Sequence, residues 1–145
     1  DLKRVIRALE IYEAGGRKKS DICDDLTPRF DYLAVAIDFP REELYARINA
    51  RVDKMFEAGL VDEVKSLLAR GIGENCQCMQ AIGYKEVIAG LKNSDSQSTM
   101  RDTIKQNTRR YAKRQITFFK KLPNIINLPP ERATAETVLN LLARE

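Results

Sequence analysis

The stretch RDTIKQNTRRYAKRQITFFKK, residues 101–121, holds eight of the chain's 25 lysines and arginines but only one acid. Its net charge is therefore +7, whereas the whole chain of 145 residues carries +4, so the residues outside it sum to −3. Basic charge gathered on one element is typical of a surface that binds a polyanion, whereas evenly spread charge mainly favours solubility.

This stretch also has the periodicity of a helix. Mostly apolar side chains recur at steps of three and four and form one stripe: Met100, Ile104, Thr108, Tyr111, Gln115, Phe118 and Leu122. On a helix, six cations project onto the opposite arc: Arg109, Arg110, Lys113, Arg114, Lys120 and Lys121. Acidic partners four residues away are almost absent, so a bound anion would relieve the repulsion among these cations. We predict a helix with one face in the core and one face on phosphate; the alternative is a solvated basic face.

The remaining patterns predict a mainly helical α/β fold with one or two short strands. An opening helix starts at Asp1, which is available as a cap, and stops at Gly15 and Gly16. Its apolar stripe is Leu2, Val5, Ile6, Leu9 and Tyr12. The apolar run at residues 32–37 predicts a buried strand, and residues 125–128 predict a second short strand.

Four further helices are expected. Pro40 opens the first of them, Gly59 ends it, and the second closes near Gly71. The third follows residues 79–86, and the fourth follows Pro129 and Pro130. Their expected core-facing side chains are, in chain order, Leu44, Ile48, Val52, Met55, Val64, Leu67, Leu68, Val87, Ile88, Leu91, Val138, Leu141 and Leu142.

Composition excludes several classes of protein. The chain has no histidine, which excludes Ser-His-Asp and Cys-His catalysis and argues against a transition-metal site. Cys23, Cys76 and Cys78 are an odd number without Cys-x-x-Cys spacing, so we expect reduced thiols in loops. No stretch approaches the roughly 18 apolar residues of a membrane span, and no signal segment opens the chain. We expect one soluble, intracellular globular domain.

Arg51 is the cation that does not fit the helical pattern. It follows Leu44 by seven residues and so projects within the apolar stripe of its helix. An arginine there either extends its charged end to solvent, pairs with a carboxylate, or binds an anionic ligand. Arg47 one turn earlier would supply a second fork-shaped donor for a phosphate. On the opening helix, Lys3, Arg4 and Arg7 form a similar solvent-side row that either meets an anion or is solvated.

The glycines of the chain form no phosphate-binding loop. None lies in a Gly-x-x-x-x-Gly-Lys-Ser/Thr or Gly-x-Gly-x-x-Gly arrangement. Gly83 allows close backbone approach, and Tyr84 beside Lys85 offers a stacking ring next to a phosphate partner, although a glycine in the first turn of a helix explains Gly83 equally well.

Four motifs together resemble the tRNA dimethylallyltransferases, also called tRNA isopentenyltransferases. They are KRVIRALE at residues 3–10 with Gly15, RVDKM at residues 51–55 followed by Gly59 and Leu60, AIGYKE at residues 81–86, and TRRYAKRQITF at residues 108–118. The resemblance covers essentially residues 1–128. Phe118 departs from the family pattern, since many members have tryptophan there.

The resemblance implies transfer of a dimethylallyl group from dimethylallyl diphosphate to N6 of adenosine 37 in tRNA. It implies that residues 1–145 are a single C-terminal fragment of the catalytic domain of a P-loop-type α/β enzyme. The phosphate loop, the general-base aspartate and a helical insertion are then expected in an N-terminal part, so this chain alone is expected to be inactive. The implied partners are the tRNA anticodon stem-loop and dimethylallyl diphosphate, with Mg²⁺ in the complete enzyme, and the protein is expected to be monomeric and cytoplasmic.

The resemblance also assigns site residues. Arg51 matches the catalytic arginine that contacts diphosphate. The positions that match tRNA-contacting segments are Lys3, Arg4, Arg7, Gln80, Gly83, Tyr84, Lys85, Arg109, Lys113, Arg114, Gln115, Thr117 and Lys120. Gln115, whose amide is both donor and acceptor, could read a base edge from the apolar side of its helix.

Two other functions stay open on the residues. A non-catalytic RNA-binding helical module accounts for the basic helix without Arg51. A relative that prenylates free adenine nucleotides accounts for Arg51 without the long basic helix. A pure interaction domain would bind neither tRNA nor AMP.

Overall fold

A computed structural model describes residues 1–22, 31–122 and 124–143. The chain divides into two compact units, Asp1–Tyr32 and Leu33–Glu145.

The first unit contains the opening helix, α1, which spans Leu2–Gly15. It ends as predicted, because Gly16 adopts a left-handed φ of 65° and its amide donates to the Tyr12 carbonyl at 2.7 Å. The Asp1 side chain does not cap the helix and instead pairs with Arg4 at 3.2 Å. The predicted apolar stripe is present but unburied, since its members, from Leu2 to Tyr12, are between 46% and 74% exposed. A short 3₁₀ helix, Lys19–Asp21, follows.

The second unit contains a two-stranded parallel sheet. Its strands are β1, Ala34–Ile37, and β2, Ile125–Leu128, with Ala34 opposite Ile125 and Ile37 opposite Leu128. Both predicted strands exist, but β1 is only half-buried and Ile37 is 55% exposed, so the expectation of a buried strand is wrong. Each strand of this sheet pairs with the other along one edge, which leaves much of the surface of both strands uncovered.

Within the described residues, five α-helices complete the second unit. They are α2, Arg41–Glu57; α3, Leu60–Ala69; α4, Tyr84–Asn93; α5, Gln97–Phe119; and α6, Ala135–Leu142. Short 3₁₀ helices lie at Gln77–Gln80 and Pro130–Arg132. Gly59 separates α2 from α3 as predicted, because its φ of 91° reverses the chain direction at a conformation that glycine adopts without strain.

The core lies among α2, α3, α4 and α5. Val52, Val64, Met79, Val87 and Ile104 have at most 1% exposure and form its centre. The inward face of α2 is Ile48, Val52 and Phe56, with Leu44 and Met55 only half-buried beside it. The sequence therefore predicted the inward face correctly to within one residue.

The apolar stripe of α5 was predicted correctly only over its first half. Met100 and Ile104 are buried, whereas Tyr111 is 46% exposed and Phe118 is 59% exposed. Ala112 is buried instead. Ala112 follows Tyr111 by one residue and therefore projects about 100° away from it around the helix. This is the side of α5 that faces α2. Periodicity alone does not show which side of a long helix its neighbour covers.

The mainly helical α/β class with two short strands is confirmed. The expectation that Leu142 is buried on α6 is wrong, since its side chain is 50% exposed. Cys76 and Cys78 are exposed free thiols, and Cys23 lies outside the described residues. Among the helices of the described ranges, none combines the length and the hydrophobicity that a membrane span requires.

Candidate functional site

A cavity of about 700 Å³, the cationic cavity, lies between α2 and α5. From α2 come the cations Arg47, Arg51 and Lys54, and from α5 come Tyr111 and Gln115. Leu44, Ile48, Ala50, Thr108 and Ala112 complete its lining. Three cations and no acid line this cavity in the part of the chain that the structure describes, so it suits an anionic ligand.

Arg51 is exposed on the flank of α2 and does not lie in its buried stripe, which corrects its expected position. Among residues 1–22, 31–122 and 124–143, none forms a hydrogen bond or an ion pair with Arg51. The nearby carboxylate of Asp53 is engaged by Lys105 at 2.6 Å and lies 3.7 Å from Arg101. The internal salt bridge that was the alternative for Arg51 therefore has no partner within the described chain.

Arg47 is held more firmly than Arg51. Its guanidinium lies 3.9 Å from Glu43 and stacks 4.6 Å from the centroid of the Phe39 ring. Such stacking restricts the side chain while its remaining N–H groups stay available.

Gln115 and Tyr111 face the same cavity from α5. The expectation that the Gln115 amide is buried is wrong, because the residue is exposed. Tyr111 presents a ring that is 46% exposed, and the Arg114 guanidinium lies 5.6 Å from its centroid. An exposed ring beside free amide and guanidinium groups is a surface on which a nucleobase can stack.

The basic residues of α5 fall into two sets. Arg109 is half-buried, and its Nη1 donates a hydrogen bond of 2.7 Å to Oδ1 of Asn49, so its place on the outward arc was predicted wrongly. Lys113, Arg114 and Lys120 are exposed, as predicted. The Thr117 hydroxyl donates to the Lys113 carbonyl at 2.9 Å.

Lys113, Thr117 and Lys120 also line another cavity of about 730 Å³. It lies where β1 and β2 end, since Asp38 and Pro129 follow those strands and belong to its lining. The carboxyl ends of parallel strands are the usual position of ligand sites in α/β proteins. Cations and acids both line this cavity, including Arg41 and Glu131, so it has no single charge preference.

The segment before α4 is fixed by a buried carboxylate. Glu86, whose side chain is 4% exposed, accepts hydrogen bonds from the Gly83 amide at 2.7 Å and from Nδ2 of Asn107 at 2.9 Å. Gly83 has a φ of 107°, which a residue with a Cβ rarely adopts. Lys85 lies 3.8 Å from the same carboxylate. Gly83 therefore allows a turn that a residue with a Cβ would adopt only with strain. The hydrogen bonds of Glu86 to Gly83 and to Asn107 connect that turn to α5.

Two other predicted site residues of this segment have structural partners. The Tyr84 hydroxyl donates to Glu63 at 2.6 Å, and this bond, with some burial, raises the pKa of Tyr84. Nε2 of Gln80 donates to the Glu74 carbonyl at 2.9 Å. The Tyr84 ring is half-buried, so little of it is free for stacking.

On α1, in the first unit, the predicted cations are exposed. Arg4 pairs with Asp1 at 3.2 Å and Arg7 pairs with Glu10 at 3.0 Å, whereas Lys3 extends from the same helix. Exposed pairs of this kind contribute little stability, so the two arginines can exchange their partners for a phosphate.

Sequence reasoning did not single out Lys54, Asn49, Glu86 or Asn107. Lys54 carries a detectable signal, because it follows Arg47 by seven residues and Arg51 by three and so shares their helix flank. The Glu86 bond to the Gly83 amide has a local signal, because a glutamate three residues after a helix cap is typical of a capping box. The bonds from Asn107 to Glu86 and from Arg109 to Asn49 link distant segments, and no local pattern indicates them.

The described residues do not fit a resident metal ion. Within them, no three His, Cys, Asp or Glu side chains are grouped closely enough to hold one. The lining of the cationic cavity would repel a bare cation.

Comparison with known proteins gives a consistent match. The family model described as IPP transferase matches residues 1–122. A tRNA dimethylallyltransferase of Alkaliphilus oremlandii is 46% identical over 127 residues, which cover 86% of this chain and 41% of that protein. The chain thus spans less than half the length of this curated relative.

Solved structures agree. A tRNA delta(2)-isopentenylpyrophosphate transferase from Staphylococcus epidermidis is 40% identical with a TM-score of 0.71, covering 98% of this chain and 47% of that one. A eukaryotic dimethylallyltransferase acting on tRNA is 29% identical with a TM-score of 0.73, covering 99% and 40% respectively. Because the family model matches most of its length, the chain belongs to the IPP transferase family.

Proposed function

We propose that the protein containing this chain transfers a dimethylallyl group from dimethylallyl diphosphate to N6 of adenosine 37 in tRNA. In this proposal the chain supplies groups that hold the diphosphate and the tRNA. The observation that carries the proposal is the cationic cavity, in which Arg51 faces open space directly beside the exposed basic half of α5. The names of the relatives support the same reaction.

Arg51 has the chemistry that departure of diphosphate requires. In the reaction the bond between the prenyl carbon and the diphosphate oxygen breaks, and the diphosphate leaves with the electron pair. N6 bonds to the carbon and releases its proton to the general base expected in the N-terminal part of the enzyme. Negative charge grows on the bridging oxygen as that bond breaks, so a preset guanidinium stabilises the transition state more than the ground state. Arg47 and Lys54 border the same cavity and can share the remaining phosphate charge.

Lys113 and Arg114 on α5 and Lys120 directly after it are suited to the tRNA backbone, because all three are exposed cations. Tyr111 can stack on a base withdrawn from the anticodon loop, and Gln115 can hydrogen-bond to a base edge. Arg109 supports this surface through Asn49 more than it contacts phosphate.

Lys3, Arg4, Arg7 and the segment from Gln80 to Lys85 are proposed as further tRNA contacts. The exposed cations Lys3, Arg4, Arg7 and Lys85 support that role. Gly83 is buried with its amide bonded to Glu86, so its part is to shape the turn from which Lys85 extends. Mg²⁺ belongs to the proposal as an ion of the complete enzyme that would share the charge of the diphosphate. Because tRNA is the proposed acceptor, we place the enzyme in the cytoplasm. We also propose that it acts as a monomer.

The proposal is tested by supplying the complete native protein with labelled dimethylallyl diphosphate and either tRNA or AMP. We expect label in tRNA, at N6 of an adenosine. Label in AMP but not tRNA would indicate the nucleotide-prenylating alternative. Salt-sensitive tRNA binding without transfer would leave only an RNA-binding module.

A further inference from the structure

A third, smaller cavity of about 360 Å³ adjoins the cationic cavity; we name it the apolar cavity. Its lining is Arg51, Val52, Met55, Ile82, Ile104, Thr108 and Tyr111. Arg51, Thr108 and Tyr111 belong to both cavities, so the two spaces meet at these side chains.

The two cavities differ in chemistry. Four of the seven residues around the apolar cavity are aliphatic or thioether side chains, and no described acid lines it. Arg51 is its single cation. The Thr108 hydroxyl already donates to the Ile104 carbonyl at 2.8 Å. A ligand that spans both spaces therefore has a polyanionic end in the cationic cavity and an apolar end in the apolar cavity. Arg51 lies beside the point where the two ends join.

We propose that the apolar cavity receives the hydrocarbon tail of the prenyl diphosphate and that Ile82 limits the length of tail that it accepts. This inference rests on the proposed function, since it divides one donor between the two cavities. The volume lies in the roughly 300–1,000 Å³ range of small-molecule sites.

The tail fits this lining better than the acceptor base does. The ring nitrogens and the exocyclic amine of adenine need hydrogen-bonding partners when they are buried. Burying them without such partners costs free energy. A branched hydrocarbon needs none, and its burial against Met55 and Ile82 is favourable. The base instead has Tyr111 and Gln115 available on the side of the cationic cavity.

Ile82 is the residue of this lining that is best placed to set a limit. Val52 and Ile104 are each 1% exposed and belong to the helix core. Met55 is flexible enough to adapt to different tails. Ile82 has a stiff β-branched side chain, and it directly precedes Gly83, whose amide is held by Glu86 at 2.7 Å. Its position is therefore fixed from the backbone.

The test is the selectivity of the complete native protein between geranyl diphosphate, with ten carbons, and dimethylallyl diphosphate, with five. The measured quantity is the ratio of kcat/KM for the two donors with the same tRNA. We expect Ile82→Ala to raise this ratio in favour of the longer donor by about tenfold or more, since pocket size discriminates by such factors. Ile82→Phe should lower it. Because both donors are compared on one sample, partial unfolding of a variant leaves the ratio unaffected.

The matched control is Ile88→Ala, which removes a 7% exposed isoleucine of the core that lines neither cavity. It should reduce stability without changing the ratio. An unchanged ratio in Ile82→Ala, with wild-type transfer intact, overturns this inference and leaves the proposed function standing. A raised KM for tRNA with an unchanged ratio also overturns it, because the cavity would then hold the base. If wild type transfers from neither donor, the proposed function fails first and this inference fails with it.

Discussion

Nη1 of Arg109 donates a hydrogen bond of 2.7 Å to Oδ1 of Asn49, and this bond joins the middle of α5 to α2. The basic residues of α5 therefore have different roles although they are alike in sequence. Arg109 has a partner within the protein, whereas Lys113 and Lys120 extend from exposed positions.

The first prediction follows from this difference. Arg109→Ala should lower the free energy of unfolding by about 1–3 kcal/mol, since it removes a charge-assisted bond and leaves Asn49 without that donor. Lys113→Ala, as the matched control on the same helix, should change it by no more than about 0.5 kcal/mol. Denaturant unfolding of both variants measures this. Equal stability of the two variants would contradict the structural role of Arg109.

The second prediction concerns the buried carboxylate of Glu86. Glu86→Ala leaves the Gly83 amide and the Asn107 side chain without their acceptor, and should cost about 1–3 kcal/mol for each donor that stays unsatisfied. Glu86→Gln combined with Asn107→Asp reverses the donor and acceptor between these two residues and should recover part of that loss. The melting temperatures of wild type, Glu86→Ala and the double variant test this prediction. If the double variant is no better than Glu86→Ala, the hydrogen-bonding account is wrong.

A third prediction uses the pKa of Tyr84, which its bond to Glu63 raises. The folded state keeps the phenol proton to higher pH than the unfolded state does. The stabilisation is therefore complete below the ordinary tyrosine pKa of about 10 and is lost as pH rises through the higher folded value. Wild type should be more stable than Tyr84→Phe at neutral pH, and the difference should shrink above about pH 10. A difference that is constant with pH would exclude this bond as its cause.

The fourth prediction separates phosphate contacts from base contacts on α5. Replacing Lys113 or Arg114 with alanine in the complete native protein should weaken binding of all tRNAs similarly and reduce the salt slope by about one unit. Gln115→Ala should leave the slope unchanged and reduce discrimination between cognate and altered anticodon loops. Because Gln115 is exposed, its loss should not lower the melting temperature. A loss of stability with unchanged discrimination would assign Gln115 a structural role instead.

Local patterns predicted α1 and α2 well, because both helices have glycine stop signals. Gly16 and Gly59 end α1 and α2 in left-handed conformations, as their positions in the sequence indicated. Both strands were also predicted, although the partial exposure of β1 was not.

Long-range contacts account for what the sequence did not predict. Arg109 was assigned to the wrong environment, because α2 covers α5 on the side of Ala112, and Asn49 of α2 accepts a hydrogen bond from Arg109. Gln115 was also assigned wrongly, since it lines the open cationic cavity between the two helices and is exposed. Arg51 was placed in a buried stripe for a related reason, since its seven-residue spacing from Leu44 does not show that the buried side of α2 is Ile48, Val52 and Phe56. Such facts depend on how two helices pack, which periodicity within one helix does not determine.

The most direct test of the account is Arg51→Ala in the complete native protein, with melting temperature and transfer kinetics measured on the same preparation. Arg70→Ala, an exposed arginine just after α3, is the matched control. If the cationic cavity holds diphosphate, Arg51→Ala should reduce kcat/KM for dimethylallyl diphosphate by about 2–4 kcal/mol in transition-state stabilisation. The melting temperature and the affinity for tRNA should stay close to wild type. A lower melting temperature, with normal kinetics in the enzyme that remains folded, would contradict the account and make Arg51 a structural residue.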